Sequence, residues 1–191
     1  MTSDVTHSLF YMLLARDRAT AIHSRNVAKY AMTIGVALGL DSEDMKELYI
    51  AALLHDCGKV ALPDKLLKTS RSYTRWEKQM MQQHVVIAKK LLVNLGFPKK
   101  IIDGIYYHHE RYDGMGYVEG LRGESIPLFA RIIAIADVFD ALTSKRPYRD
   151  PLSIQQAIDV LKESKGQFDE ELLDIFLRYI NKSYVDTVKN I

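Results

Sequence analysis

With 191 residues, 48% of them apolar and 26% charged, the chain has room for one well-buried core and the balance of an ordinary globular domain. A formal net charge of +2 is too weak to argue for a nucleic acid polymer or a membrane by charge alone, so any basic patch must be local. Cys57 is the only cysteine, which rules out an intramolecular disulfide and a zinc–thiolate cluster and fits a reducing, cytoplasmic setting.

The chain opens without a basic stretch leading into an apolar run and a cleavage site, so no signal peptide is expected. No apolar run approaches the roughly 20 residues that span a bilayer. Residues 1–15 read as an N-terminal helix. Val5, Leu9, Met12 and Leu13 recur at helical spacing, and this helix either packs on its own domain, caps the bundle or pairs with a second copy to make a homodimer. Residues 16–191 read as one further domain. A period near 3.6 predicts helices over 19–38, 43–55, 74–95, 98–109, 127–143, 153–164 and 169–183. Thr74 and Glu77 form a capping-box signature, and Gly39 and Gly96 stand where helices should stop. The stretches 56–73 and 110–126 read as irregular, and strand alternation is nearly absent. The fold class is therefore all-α, a bundle of about seven or eight helices.

Several polar residues fall on apolar helical stripes. His23 lies with Val27, Tyr30, Ala31 and Ile34, and His55 ends a stripe of Leu48, Ala51 and Ala52. His84 lies among Met80, Met81, Ile87, Ala88 and Leu91. His108 and His109 follow Ile101, Ile102 and Ile105, and Asp137 lies among Ala130, Ile133, Ala134 and Ala141. One inward histidine is usually a hydrogen-bonded core residue. Five histidines with Asp56 and Asp137 are different, because buried unpaired carboxylates cost several kcal/mol or shift their pKa. Convergence on metal ions removes all these penalties at once. Imidazole and carboxylate without thiolate suit iron, manganese, zinc or nickel. Seven ligands exceed one coordination shell and fit two ions sharing a carboxylate. His7 is outside the set and is expected on the surface.

The order of motifs narrows the reading. His55-Asp56-Cys57-Gly58-Lys59 leads into Leu62-Pro63-Asp64-Lys65-Leu66-Leu67, and His84 follows. Then come His108-His109-Glu110-Arg111-Tyr112-Asp113-Gly114-Met115-Gly116-Tyr117 and Gly120-Leu121. Ala136-Asp137-Val138-Phe139-Asp140-Ala141-Leu142-Thr143 precedes Arg146-Pro147-Tyr148-Arg149. Over about residues 16–170 this resembles the HD-GYP family of the HD metal-dependent phosphohydrolase superfamily. The resemblance implies an all-helical bacterial signalling domain, usually attached to receiver or sensor domains, that hydrolyses cyclic dinucleotides, chiefly cyclic di-GMP. It implies that His23, His55, Asp56 and Asp137 hold one metal. His84, His108 and His109 would hold the second, with Asp56 bridging. Lys59, Tyr117, Arg146 and Arg149 match family positions that contact the substrate.

Two departures stand out. The family's Gly-Tyr-Pro is Gly116-Tyr117-Val118 here, which frees the loop and restores an N–H. Members with three metals resemble a pattern with Glu four residues before the first histidine, where this chain has Ala19, so two ions are expected; Asp17 matches a family Asp. The expected chemistry is opening of cyclic di-GMP to the linear dinucleotide by a hydroxide bridging two metals, iron or manganese first and zinc or nickel second. Asp56 and Lys59 would be the catalytic pair, and no protein nucleophile is needed. The alternatives are a non-catalytic cyclic-dinucleotide-binding module, another HD-type nucleotide phosphohydrolase, and a purely structural scaffold.

Overall fold

The structure is a computed structural model that describes residues 2–69, 71–145 and 150–180. Nine α-helices and two 3-10 turns, with no strand, make up the regular structure of the described residues. In chain order these are α1 (Thr2–Arg16), α2 (Arg18–Ala37), α3 (Ser42–Leu54), a 3-10 turn (Cys57–Ala61), α4 (Asp64–Leu67) and α5 (Arg75–Asn94). There follow α6 (Lys99–Tyr106), a second 3-10 turn (Gly123–Ser125), α7 (Leu128–Thr143), α8 (Ile154–Glu163) and α9 (Glu170–Ile180). All eight expected helices are present. The ninth, α4, is one turn inside a stretch read as irregular.

Local signals set most ends. Asp17 caps α2 by accepting from the Ala19 and Thr20 amides, and Asp41 caps α3 from Glu43 and Asp44. Thr74 and Glu77 form the expected capping box on α5. Gly39 and Gly96 follow the C-terminal caps with φ of 69° and 70°, a left-handed turn that glycine adopts without a Cβ penalty. One boundary needs correction. The helix expected over 98–109 ends at Tyr106, so His108 and His109 stand in the turn beyond α6. Beyond the helix end His108 is still buried and His109 half-buried.

α7 runs through the middle, with Ile132, Ile133, Ile135, Ala136 and Phe139 buried against α2 and α6. Tyr30, Phe139 and Phe176 tie α2, α7 and α9 by edge-on ring contacts with centroids 5.0–6.2 Å apart. α1 packs on α2, α3 and the first 3-10 turn, with Leu13 fully buried. Among the described residues no helix is long and apolar enough to cross a membrane.

One close approach builds the site. Gly58, in the first 3-10 turn, rests directly on the backbone of α5, where a Cβ would collide with the His84 carbonyl oxygen. This contact lets Asp56 and His84 face each other from different elements.

Candidate metal centre and active site

Five segments converge between α2, α3, α5, α6 and α7. His23 comes from α2, and His55 and Asp56 stand just beyond the last turn of α3. His84 comes from α5, His108 and His109 follow α6, and Asp137 lies on α7. His55, Asp56, His84 and His108 are buried, while His23, His109 and Asp137 are half-buried. All seven expected ligands are thus brought together. His7 is exposed on α1, as expected.

Three histidines share one arrangement. His55 Nδ1 lies 2.8 Å from the Ala52 carbonyl oxygen, His84 Nδ1 2.6 Å from that of Met81, and His108 Nδ1 2.7 Å from that of Ile105. A carbonyl only accepts, so each Nδ1 carries the proton and each Nε2 offers a bare lone pair. All three Nε2 atoms are buried without a hydrogen-bond partner. Each such orphan costs about 1–3 kcal/mol. Burial also holds the imidazoles neutral: it lowers the pKa of His55, His108 and His109, and takes His84 to about 3. Neutral rings with aimed lone pairs are what a divalent ion needs, so the residues present fit a metal.

The donor atoms fall into clusters. Those of His23, His55 and Asp137 lie within 4.8 Å of one another, as do those of His84, His108 and His109. Asp56 stands between them, with Oδ2 3.5 Å from His55 Nε2 and Oδ1 3.4 Å from His84 Nε2. Each carboxylate oxygen therefore faces a histidine of a different cluster, and His55, Asp56 and His108 form a third group within 4.8 Å that joins the two. Lys59 Nζ donates to Asp56 Oδ2 at 2.6 Å. Burial works to raise the Asp56 pKa, but Lys59, His55 and His84 outweigh it and hold the carboxyl well below its usual range. Asp137 follows the same logic, with the His23 hydrogen bond overcoming burial.

His23 is held differently. Its Nε2 lies 2.9 Å from Asp137 Oδ1 and its Nδ1 2.7 Å from Asp140 Oδ2. Burial alone would lower its pKa, yet the two carboxylates raise it to about 9. Asp140 is itself buried, and its Oδ1 accepts from Asn26 and Ser144 at 3.0 and 2.8 Å. The sequence reading gave Asp140 no role. Its signal was a second carboxylate one helical turn after Asp137.

Tyr117 lies at the rim with its ring against His109, centroids 5.2 Å apart and planes at 32°. Burial, then Asp56, Asp137 and Glu110, push its pKa up, so the hydroxyl stays a donor. Lys59 is 23% exposed at the side chain, which leaves it reachable from solvent. Arg146 and Arg149 lie outside the described residues. Ala19 is exposed on the first turn of α2 and has no donor to offer, and Asp17 is engaged as the cap of that helix. Cys57 is buried, its thiol pushed up to about 12 by burial and then by Asp56, and acts as packing.

The structure is an all-helical bundle closing on clustered histidines and aspartates that could hold metal. Residues 8–172 match the HD domain family, and the chain belongs to it, with the motifs of its HD-GYP members. It is 40% identical over 168 residues to the cyclic di-GMP phosphodiesterase response regulator RpfG of Xanthomonas campestris pv. campestris, covering 85% of this chain and 44% of that protein. It is 35% identical over 172 residues to 3'3'-cGAMP-specific phosphodiesterase 1 of Vibrio cholerae, covering 89% and 40%. The chain thus spans less than half the length of these curated relatives. The cyclic GMP-AMP specific phosphodiesterase V-cGAP3 of V. cholerae superimposes with a TM-score of 0.75 at 23% identity, over 98% of this chain and 50% of that one, a likeness of fold.

Proposed function

We propose that the chain hydrolyses one phosphodiester of a cyclic dinucleotide, with cyclic di-GMP as substrate and the linear dinucleotide as first product. The observation that carries this reading is Asp56, whose Oδ2 lies 3.5 Å from His55 Nε2 and whose Oδ1 lies 3.4 Å from His84 Nε2, one histidine from each of two adjoining clusters. His23, His55 and Asp137 would hold one divalent ion, His84, His108 and His109 the other, and Asp56 both. Bound there, two such ions would supply an acidified water as nucleophile and a clamp for charge on the phosphoryl oxygens. Iron or manganese suits the ligand set best, then zinc or nickel.

The chain's own residues do the rest. Lys59 sets a cation beside Asp56 where a phosphate would dock. Tyr117 offers a protonated hydroxyl and a ring face at the rim. Arg146 and Arg149 supply planar forks for phosphate or a guanine edge. With Ala19 in place of a third-metal ligand, the second cut to GMP is expected to be slow, so the linear product accumulates.

A second substrate has support, since the relative that is 35% identical is named for 3'3'-cGAMP. The test is anaerobic reconstitution with iron or manganese, then product analysis with both cyclic dinucleotides in heavy-oxygen water. One label on the new terminal phosphate of a linear product is expected. Full metal loading with tight binding and no linear product would make the chain a receptor instead.

A further inference from the structure

Glu110 follows the paired histidines directly and is buried, with the residue only 4% exposed. Its Oε1 accepts two backbone amides, from Glu119 at 2.6 Å and Gly120 at 2.9 Å. Its Oε2 is buried without a partner. Gly116 lies flat against the same residue: a Cβ there would collide with the Glu110 Oε2 and come within 2.6 Å of its Cα. One buried side chain therefore grips both flanks of Tyr117, at 116 and at 119–120. The near end of the segment is fixed as well, since the Glu110 amide donates to the Tyr107 carbonyl at 2.8 Å. Tyr107 in turn donates its hydroxyl to Glu119 Oε2 at 3.1 Å.

We propose that Glu110 is a positioning residue that holds the loop 114–120, and through it Tyr117, against His109 at the mouth of the metal centre. The proposal rests on the phosphodiesterase reading for what Tyr117 touches, and on the geometry alone for what Glu110 holds. Val118 raises the demand on such a hold. Valine leaves φ unlocked and adds conformational freedom that a proline would remove. A charged acceptor shared by two amides restrains the same turn by hydrogen bonding. A carboxylate that only satisfied loop amides could be anywhere along the loop. This one is attached one residue after a candidate ligand, so the loop is registered to the metal centre itself.

The test uses the whole chain loaded with manganese and compares Glu110→Ala, Glu110→Gln, Tyr117→Ala and the double variant Glu110→Ala/Tyr117→Ala. Glu110→Ala is expected to raise the KM for the cyclic dinucleotide about tenfold, the equivalent of losing one good contact, with metal content and kcat little changed. Glu110→Gln keeps a carbonyl acceptor and should restore most of the affinity. In the Tyr117→Ala background, removing Glu110 should add less than about twofold, because residues acting as a unit are non-additive. Independent multiplication of the two effects, or loss of metal in Glu110→Ala, would overturn the proposal in favour of a structural role. If the wild-type protein turns over neither cyclic dinucleotide, the functional reading fails and hydrogen exchange decides the positioning. Amides of Glu119 and Gly120 protected in wild type and Glu110→Gln but released in Glu110→Ala would uphold it, and unprotected wild-type amides would end it.

Discussion

His23 and Asp140 meet across the α2–α7 interface, with Nδ1 2.7 Å from Oδ2. The carboxylate accepts a hydrogen bond from Nδ1–H and so turns Nε2 toward Asp137. Asn26 and Ser144 fix the other oxygen of Asp140, so the ring is oriented by a carboxylate that is itself held on two sides. Partners of this kind typically carry 10–100-fold in metal affinity. Asp140→Ala is therefore expected to weaken binding at the His23 cluster by about that factor. Asp140→Asn, which keeps an acceptor, should lose less. Competition against a chromophoric chelator measures both, and wild-type affinity in Asp140→Ala would mean that the helix backbone alone aims His23.

The contrast between Asp137 and Asp140 shows what could be read in the sequence. Asp137 stood out because a carboxylate on an apolar stripe needs an explanation, Asp56 because it directly follows an inward histidine, and the five inward histidines supplied the explanation. Asp140 lies on the same helix and is more buried than Asp137. Counting ligand donors finds residues that touch a metal, and it passes over those that orient them. Glu110 was out of reach for another reason: it sits in a stretch without periodicity, where no face can be assigned. α4 is four residues long, shorter than the window over which a helical period can be recognised. The end of α6 was misplaced because His108 and His109 keep the inward pattern after the helical hydrogen bonds stop. Gly58 could be seen as part of a motif, but its packing on the His84 carbonyl could not.

Asp56 should be the most damaging ligand to lose. His84→Ala removes one donor from one cluster, and His23→Ala one from the other. Asp56→Ala removes a donor facing both, along with the acceptor of Lys59. Elemental analysis of the purified variants is expected to give the lowest metal content for Asp56→Ala. Equal losses in all three would argue that Asp56 serves a single ion.

Metal should also stabilise the fold. The orphaned Nε2 atoms of His55, His84 and His108 sit in the core, and ligation satisfies all three. Free metal at 100 times its dissociation constant adds about 2.7 kcal/mol. For a chain of this size each kcal/mol moves Tm by roughly 2–4 °C, so a rise of about 5–10 °C is expected. Calorimetry with manganese against a chelator measures it. An unchanged Tm would mean that metal binds elsewhere or not at all.

Lys59 separates substrate contact from metal binding. Its ammonium lies 2.6 Å from Asp56 Oδ2, and its side chain is 23% exposed, so it faces the carboxylate on one side and solvent on the other. Hydrogen bonds to charged groups are worth about 1.5–3 kcal/mol, or roughly 10–100-fold in rate or affinity. Lys59→Ala is expected to lower kcat/KM by that range while both ions stay bound, because lysine is no ligand and the histidine clusters remain. Arg146→Ala should act alongside it, raising KM with metal content intact. If Lys59→Ala instead loses metal in proportion to activity, the lysine serves only to hold Asp56 in place. If neither substitution alters kinetics with a cyclic dinucleotide, both cations are surface charge and the substrate docks elsewhere.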